Sequence, residues 1–257
     1  MGCLTAQWAH VNITAVLKSF YQGLFDLLYP HNCLLCRKHL SADHKGEALC
    51  GDCQKTIIPN FPPFCQKCSR HLTVVNAENL CPDCRHTERH FDRAWAAALY
   101  NEPMQELIHR FKYQNKTGLR KFFAGLMHSF IDTYNINIHS YDILVTVPLH
   151  PTRLRERGYN QTEFLAEGLS KESNLTITSK NLCRVRHTKN QALLGKKERW
   201  TNIHGAFKIN DPSKVLKKSV LVVDDLFTTG ATAGEAARLL KEAGAVKVDV
   251  LTLAIAY

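Results

Sequence analysis

No run in these 257 residues approaches the roughly 20 apolar residues that a membrane-spanning helix needs. The N-terminus has neither an early basic patch nor a small-residue cleavage site, which argues against a secretory leader. It opens "MGCLTA", yet Ala6 stands where N-myristoylation requires Ser or Thr. Low-complexity linkers are missing, and the only internal echo is a recurring cysteine pair. Charged residues make up just 22% of the chain and apolar residues 45%, so disorder is not the default and a full core is affordable. These absences predict a soluble, cytoplasmic protein without membrane insertion, built as one medium domain plus a smaller one.

What the chain does have is cysteine in a pattern. Eight of its ten cysteines form four CxxC pairs: Cys33 with Cys36, Cys50 with Cys53, Cys65 with Cys68, and Cys81 with Cys84. Two intervening residues let both thiolates face one ion, and four thiolates satisfy tetrahedral zinc. The gaps of 13 and 12 residues between pairs suit zinc ribbons. A disulfide framework is disfavoured in a cytosolic chain, and a redox centre needs one pair rather than four. Iron fits the same ligands. The spacing predicts two structural zinc ions, with sequential pairing preferred over a cross-braced arrangement. Few large apolar residues occur over 31–90, so metal must supply much of that segment's folding free energy, on the order of 10 kcal/mol per site.

The expected organisation is a helix within 1–30, a double zinc module over 31–90 and an α/β domain over 91–257. In the first part, Ile13, Val16, Leu17, Phe20, Leu24, Leu27 and Leu28 recur at helical spacing. Its polar face carries only Lys18 and Asp26, which favours docking on protein over a membrane surface. From about residue 93, strands ("WAAALY", "DILVTVP", "VLVVDD", "VKVDVLTLAIAY") alternate with helices ("MQELIHRFKY", "QTEFLAEGLSKE", "GATAGEAARLLKEAG"). That alternation predicts a parallel sheet with ligands at the carboxyl ends of its strands.

The most informative stretch is "VLVVDDLFTTGAT", residues 220–232. A strand runs into Asp224 and Asp225, then a turn of Thr228, Thr229, Gly230, Ala231 and Thr232 opens a helix. Backbone N–H groups and threonine hydroxyls there make a phosphate cradle. Two carboxylates beside it suit the hydroxyls of a sugar, so the segment describes a ribose 5-phosphate. It resembles the PRPP-binding motif of type I phosphoribosyltransferases, with Phe227 where a smaller aliphatic is more usual. "VPLHPTRLRERGYNQTEFLA" (147–166) falls where such enzymes carry a pyrophosphate loop, and "CRVRHTKNQALLGKKERWTNIHGAF" (183–207) where they carry a mobile loop. Together with "LIHRFKY" and the four CxxC pairs, these motifs resemble the ComF family, bacterial competence proteins associated with DNA uptake and natural transformation.

The resemblance implies a phosphoribosyltransferase domain that binds PRPP with magnesium, Asp224 and Asp225 being its catalytic carboxylates. Arg153, Arg155 and Arg157 would surround the pyrophosphate, and Arg184, Arg186 and Lys189 would close over it. No segment identifies an acceptor. Charge adds a second expectation. Residues 93–257 hold 24 Lys and Arg against 15 Asp and Glu, whereas residues 1–92 hold nine against eight. The excess concentrates at 109–121, 153–157 and 184–199 with Phe111, Tyr113, Tyr159 and Trp200 interleaved, which suits single-stranded nucleic acid. Lys112, Tyr113, Arg153, Arg155, Arg157 and Arg199 are its candidate contacts. Two readings follow: a competence protein that binds PRPP, single-stranded DNA and, through the zinc module, a protein partner of the transformation machinery; or a phosphoribosyltransferase in nucleotide metabolism.

Overall fold

Strands and helices alternate from residue 93 onward in the computed structural model, which describes residues 31–40, 46–189 and 194–257. The expected N-terminal helix lies outside the described residues. The chain divides into two compact units, Met1–Cys53 and Gln54–Tyr257. That division falls between the two cysteine clusters, so the second cluster belongs to the larger unit.

The larger unit is built on a five-stranded parallel sheet: β1 (Arg93–Leu99), β2 (Ile143–Thr146), β3 (Thr176–Ile177), β6 (Ser219–Phe227) and β7 (Lys247–Ile255). Their order across the sheet is β1-β7-β6-β2-β3. A small antiparallel pair, β4 (Leu182–Arg184) with β5 (Phe207–Ile209), stands apart. The helices after β1 are α1 (Glu102–Tyr113), α2 (Leu119–Thr133), α3 (Pro151–Arg157), α4 (Gln161–Ser173), α5 (Lys196–Ile203) and α6 (Ala231–Glu242). The expected parallel α/β class is therefore what the chain adopts.

Period-2 alternation sorts β6 onto two faces. Val220 and Val222 join a buried cluster with Ala236, Ala237 and Leu240 of α6. Leu221 and Val223 are buried on the other face, where α2 and α4 pack. Helices thus cover both faces, as an all-parallel sheet requires. Caps fix where each helix begins. Asn101 accepts from the Met104 N–H, and Asn160 accepts from the Thr162 N–H. Asn160 Nδ2 and Thr162 Oγ1 also donate to the Val147 carbonyl at 3.2 and 2.8 Å, tying the start of α4 to the end of β2.

Candidate functional site

From β2 the chain steps outward to β3, and from β6 it steps the other way to β7. The reversal between β2 and β6 is the place where open parallel sheets hold ligands, beyond the carboxyl ends of the strands. A cavity of about 590 Å³ lies there. Asp224, Asp225, Thr228 and Thr232 line it from β6 and the following turn, Lys112 and Tyr113 from α1, and Arg153 and Arg157 from α3. Arg184, Lys189 and Arg199 complete its cationic wall. A second cavity, of about 730 Å³, shares Lys112, Tyr113, Arg153 and Arg157 with it and adds Tyr159 and His187.

Adjacent strand residues point to opposite faces, so the two carboxylates do different things. Asp225 is buried, and both its oxygens are engaged. Lys112 Nζ lies 2.8 Å from Oδ1, and Gln161 Nε2 donates to Oδ2 at 2.5 Å. Gln161 in turn accepts from Arg157 through its Oε1. Burial disfavours the Lys112 ammonium, but the Asp225 charge and hydrogen bond outweigh it, and its pKa rises. Asp224 is half-buried and accepts from the Asp225 N–H at 2.9 Å. Burial and then the neighbouring Asp225 charge push its carboxyl up to about 7, against the pull of Lys112 and Arg184. The site therefore presents one committed carboxylate and one poised near neutrality.

The arginine run is a helix rather than a loop. His150 caps α3, and Gly158 ends it at φ 82°, a left-handed turn that favours glycine. Arg153 and Arg157 face the cavity, with Arg157 Cζ 5.0 Å from the Tyr113 ring centroid. Arg155 is exposed and lies outside both cavity linings. The segment expected as a mobile loop, 183–207, runs from β4 to β5 and carries α5, with residues 190–193 outside the described residues. Within it, burial and the nearby Arg153 charge lower Arg184 to about 10. Arg186 points elsewhere: its Nη2 donates to the carbonyls of Asn202 and His204 at 3.0 and 2.6 Å. Of the interleaved aromatics, Phe111 is fully buried, Tyr159 and Trp200 are half-buried, and Tyr113 is the most exposed at 56%.

In the turn after β6, Thr229 is buried and its hydroxyl accepts from the Ala231 N–H at 3.3 Å. Gly230 opens α6 at φ 76°, and a Cβ there would sit 2.7 Å from Phe227 Cζ. Phe227 is large because it packs edge-on against Phe91 with ring centroids 5.9 Å apart. Gln161 lies in the RGYNQ run, but its partner Asp225 is 64 residues away, so no local signal marks the contact.

The cysteines cluster sequentially: Cys33, Cys36, Cys50 and Cys53 in one group, Cys65, Cys68, Cys81 and Cys84 in the other. Within each group the sulfurs lie within 4.8 Å of one another, and Cys36–Cys50 and Cys68–Cys81 approach to 3.6 Å. Tetrahedral zinc with Zn–S of about 2.3 Å implies S···S separations of about 3.8 Å, so both donor sets fit the ion. The knuckles repeat each other. Arg37 and Ser69, each following a CxxC, have φ of 62° and 53° and donate N–H to Cys33 and Cys65 carbonyls at 3.0 and 2.9 Å. Among the described residues no helix is long and apolar enough to cross a membrane.

Comparison with known proteins agrees with these features. The double zinc ribbon domain family matches residues 24–85. Competence protein F of Haemophilus influenzae is 31% identical over 231 residues, covering 88% of this chain and 97% of its own length. The DNA utilization protein YhgH of Escherichia coli is 29% identical and likewise covers 88% of this chain and 98% of its own. Competence protein ComFC of Streptococcus pneumoniae is 29% identical over 80% of this chain and 97% of its own. Among solved structures, the glutamine PRPP amidotransferase of B. subtilis, complexed with ADP and GMP, gives a TM-score of 0.36 at 18% identity. That match covers 53% of this chain and 26% of the amidotransferase chain.

Proposed function

The chain belongs to the ComF family of competence proteins, and from that premise we propose that it serves DNA uptake by binding PRPP and single-stranded DNA on its α/β domain. The single observation that carries the reading is the composition of one cavity. A half-open carboxylate, Asp224, lies beside a threonine-rich helix start and faces Arg153, Arg157, Arg184, Lys189 and Arg199. A ribose diphosphate offers hydroxyls to the first and phosphates to the rest. The relatives' names, competence proteins F and ComFC and the DNA utilization protein YhgH, support the biological role.

Magnesium fits as a ligand-borne ion. Both Asp225 oxygens are taken, so the protein offers Asp224, and the remaining ligands would be pyrophosphate, ribose and water oxygens, a usual arrangement for this cation. Bound there, magnesium would neutralise charge on pyrophosphate. The chain's own part is to hold the ribose hydroxyls at Asp224, to keep Asp225 fixed between Lys112 and Gln161, and to surround the phosphates with guanidinium groups. The zinc module is proposed as the docking site for a protein of the uptake machinery.

The basic rim is the proposed path for DNA, with Tyr113 as its stacking residue and Arg153, Arg155, Arg157 and Arg199 as cations, whereas Lys112, expected among them, is committed to Asp225. Titration of a labelled single strand tests it. Affinity falls with salt at a log–log slope of about −0.7 per phosphate contacted, and PRPP competes for the same surface. DNA binding that is absent or insensitive to salt, beside intact PRPP binding, overturns the DNA half of the proposal.

One observation favours a second reading, a phosphoribosyltransferase acting in nucleotide metabolism. The second cavity shares Lys112, Tyr113, Arg153 and Arg157 with the first, so an acceptor bound there would lie beside a ligand in the first. Pyrophosphate release from PRPP with magnesium on addition of a candidate acceptor tests that reading.

A further inference from the structure

The second cysteine ribbon reaches the phosphate turn with two guanidinium groups. Arg70 follows the Cys65–Cys68 knuckle. Its Nη2 donates to the carbonyls of Thr228 and Ala256 at 3.1 and 3.3 Å, and its Nη1 to Asp83 at 3.2 Å. Asp83 lies between the ligands Cys81 and Cys84, and its other oxygen takes Lys196, the first residue of α5. Arg89 is 8% exposed and donates from Nη1 to the Thr229 carbonyl at 2.6 Å. Its Cζ stands 5.3 Å from the centroid of Trp200 on α5. Trp200 meets α6 at Gly234, where an added Cβ would come within 3.1 Å of the ring.

A trans peptide holds its C=O and N–H antiparallel. Fixing the Thr228 and Thr229 carbonyls from the ribbon side turns the N–H groups of Thr229 and Gly230 away from the ribbon. The turn has no long side chain of its own to do this. Donors from Arg70 and Arg89, both cations, hold it from behind and add positive charge there. The same ribbon fixes α5, which carries Arg199 into the cavity. Cys65, Cys68, Cys81, Phe91 and Phe227 share one buried cluster, so the ribbon cannot shift without disturbing the floor of the turn.

We propose that the Cys65–Cys68–Cys81–Cys84 ribbon is a metal-dependent clamp on the phosphate turn, with Arg70, Arg89 and Asp83 as positioning residues that set the turn and helix α5 for an anionic ligand. The identity of that ligand rests on the reading of the cavity given above; the clamp itself does not. Zinc at this cluster keeps the two arginines aimed, so losing it releases residues 228–232 and 194–203 together.

The test is hydrogen exchange of the full zinc-loaded chain, followed by mass spectrometry, with PRPP affinity measured in parallel. Arg89→Met and Arg70→Met are expected to lose protection at 228–234 with little change in Tm, and PRPP or pyrophosphate binding is expected to weaken about tenfold each. Arg89→Lys keeps one donor and is expected to recover part of both. Asp83→Asn is expected to raise exchange at 194–203. Cys84→Ser, with zinc content reduced by one ion, is expected to reproduce the loss at both segments. If Arg89→Met does not fold, Arg89→Lys and Asp83→Asn report the same two contacts. Unchanged exchange at 228–234 in folded Arg70 and Arg89 variants overturns the clamp. If wild type binds neither PRPP nor pyrophosphate while the exchange differences persist, the clamp stands and the ligand reading falls.

Discussion

Lys112 Nζ lies 2.8 Å from Asp225 Oδ1, linking the end of helix α1 to the mouth of strand β6. Their side chains are 19% and 7% exposed, so the pair is largely desolvated. Gln161 completes the carboxylate's partners and passes the connection to Arg157. Asp225 thereby becomes part of the scaffold, and Asp224 is left as the carboxylate that meets a ligand.

Breaking such a pair from one side leaves an uncompensated buried charge. Lys112→Met is expected to destabilise the fold by about 3 kcal/mol in urea denaturation, near the lower end for buried pairs. The double variant with Asp225→Asn is expected to lose less than the sum of the singles. Strict additivity would show that the two groups do not interact.

Asp224 gives the molecule a pH dependence. Its carboxyl is raised from 3.8 to about 7, burial being the larger cause and the Asp225 charge the next. Between those values the folded chain keeps a proton that the unfolded chain releases. This site's contribution to stability therefore falls as pH rises through that window. Asp224→Asn is expected to raise Tm at pH 8 and leave it nearly unchanged at pH 4. Equal effects at both pH values would contradict the assignment.

The three arginines of α3 are not equivalent. Arg153 and Arg157 line the cavity, and Arg155 is exposed outside it. Arg155→Ala is expected to leave PRPP affinity within about twofold yet to flatten the salt dependence of DNA binding by about 0.7. Arg153→Ala is expected to weaken both ligands. A PRPP defect in Arg155→Ala as large as that in Arg153→Ala would remove the distinction.

Both cysteine clusters are expected to hold zinc. Metal analysis of purified protein should return close to two ions per chain, and Cys36→Ser or Cys84→Ser should each remove one. A yield of one ion or none from wild type rejects the two-site account.

Much of this was legible in the sequence because its signals are local. The four CxxC pairs gave the metal ligands, because each pair is a local spacing; that the first pair groups with the second and the third with the fourth is fixed by the fold. The run of Val220 to Val223 into two carboxylates gave β6, its carboxyl end and the following turn. What stayed hidden depends on contacts between distant residues. Asp224 and Asp225 look alike in the chain, yet strand alternation sends them to opposite faces and only Asp225 meets Lys112 and Gln161. The arginine run was read as a loop although Pro151 and Gly158 bracket a two-turn helix, which is where Arg155 parts from its neighbours. Phe227 looked anomalous until Phe91, 136 positions earlier, supplied its packing partner. Arg70 and Arg89 carried no motif at all.

The central claim is that the cavity beyond β6 binds PRPP through Asp224 and the turn that follows. Calorimetric titration of PRPP with magnesium into wild type and Asp224→Asn, at pH 8, tests it most directly. One site per chain is expected in wild type. In Asp224→Asn, losing a charged acceptor of the ribose hydroxyls should weaken binding by about tenfold to a hundredfold, at unchanged zinc content and with the fold intact. Equal affinity in the two proteins would contradict the claim.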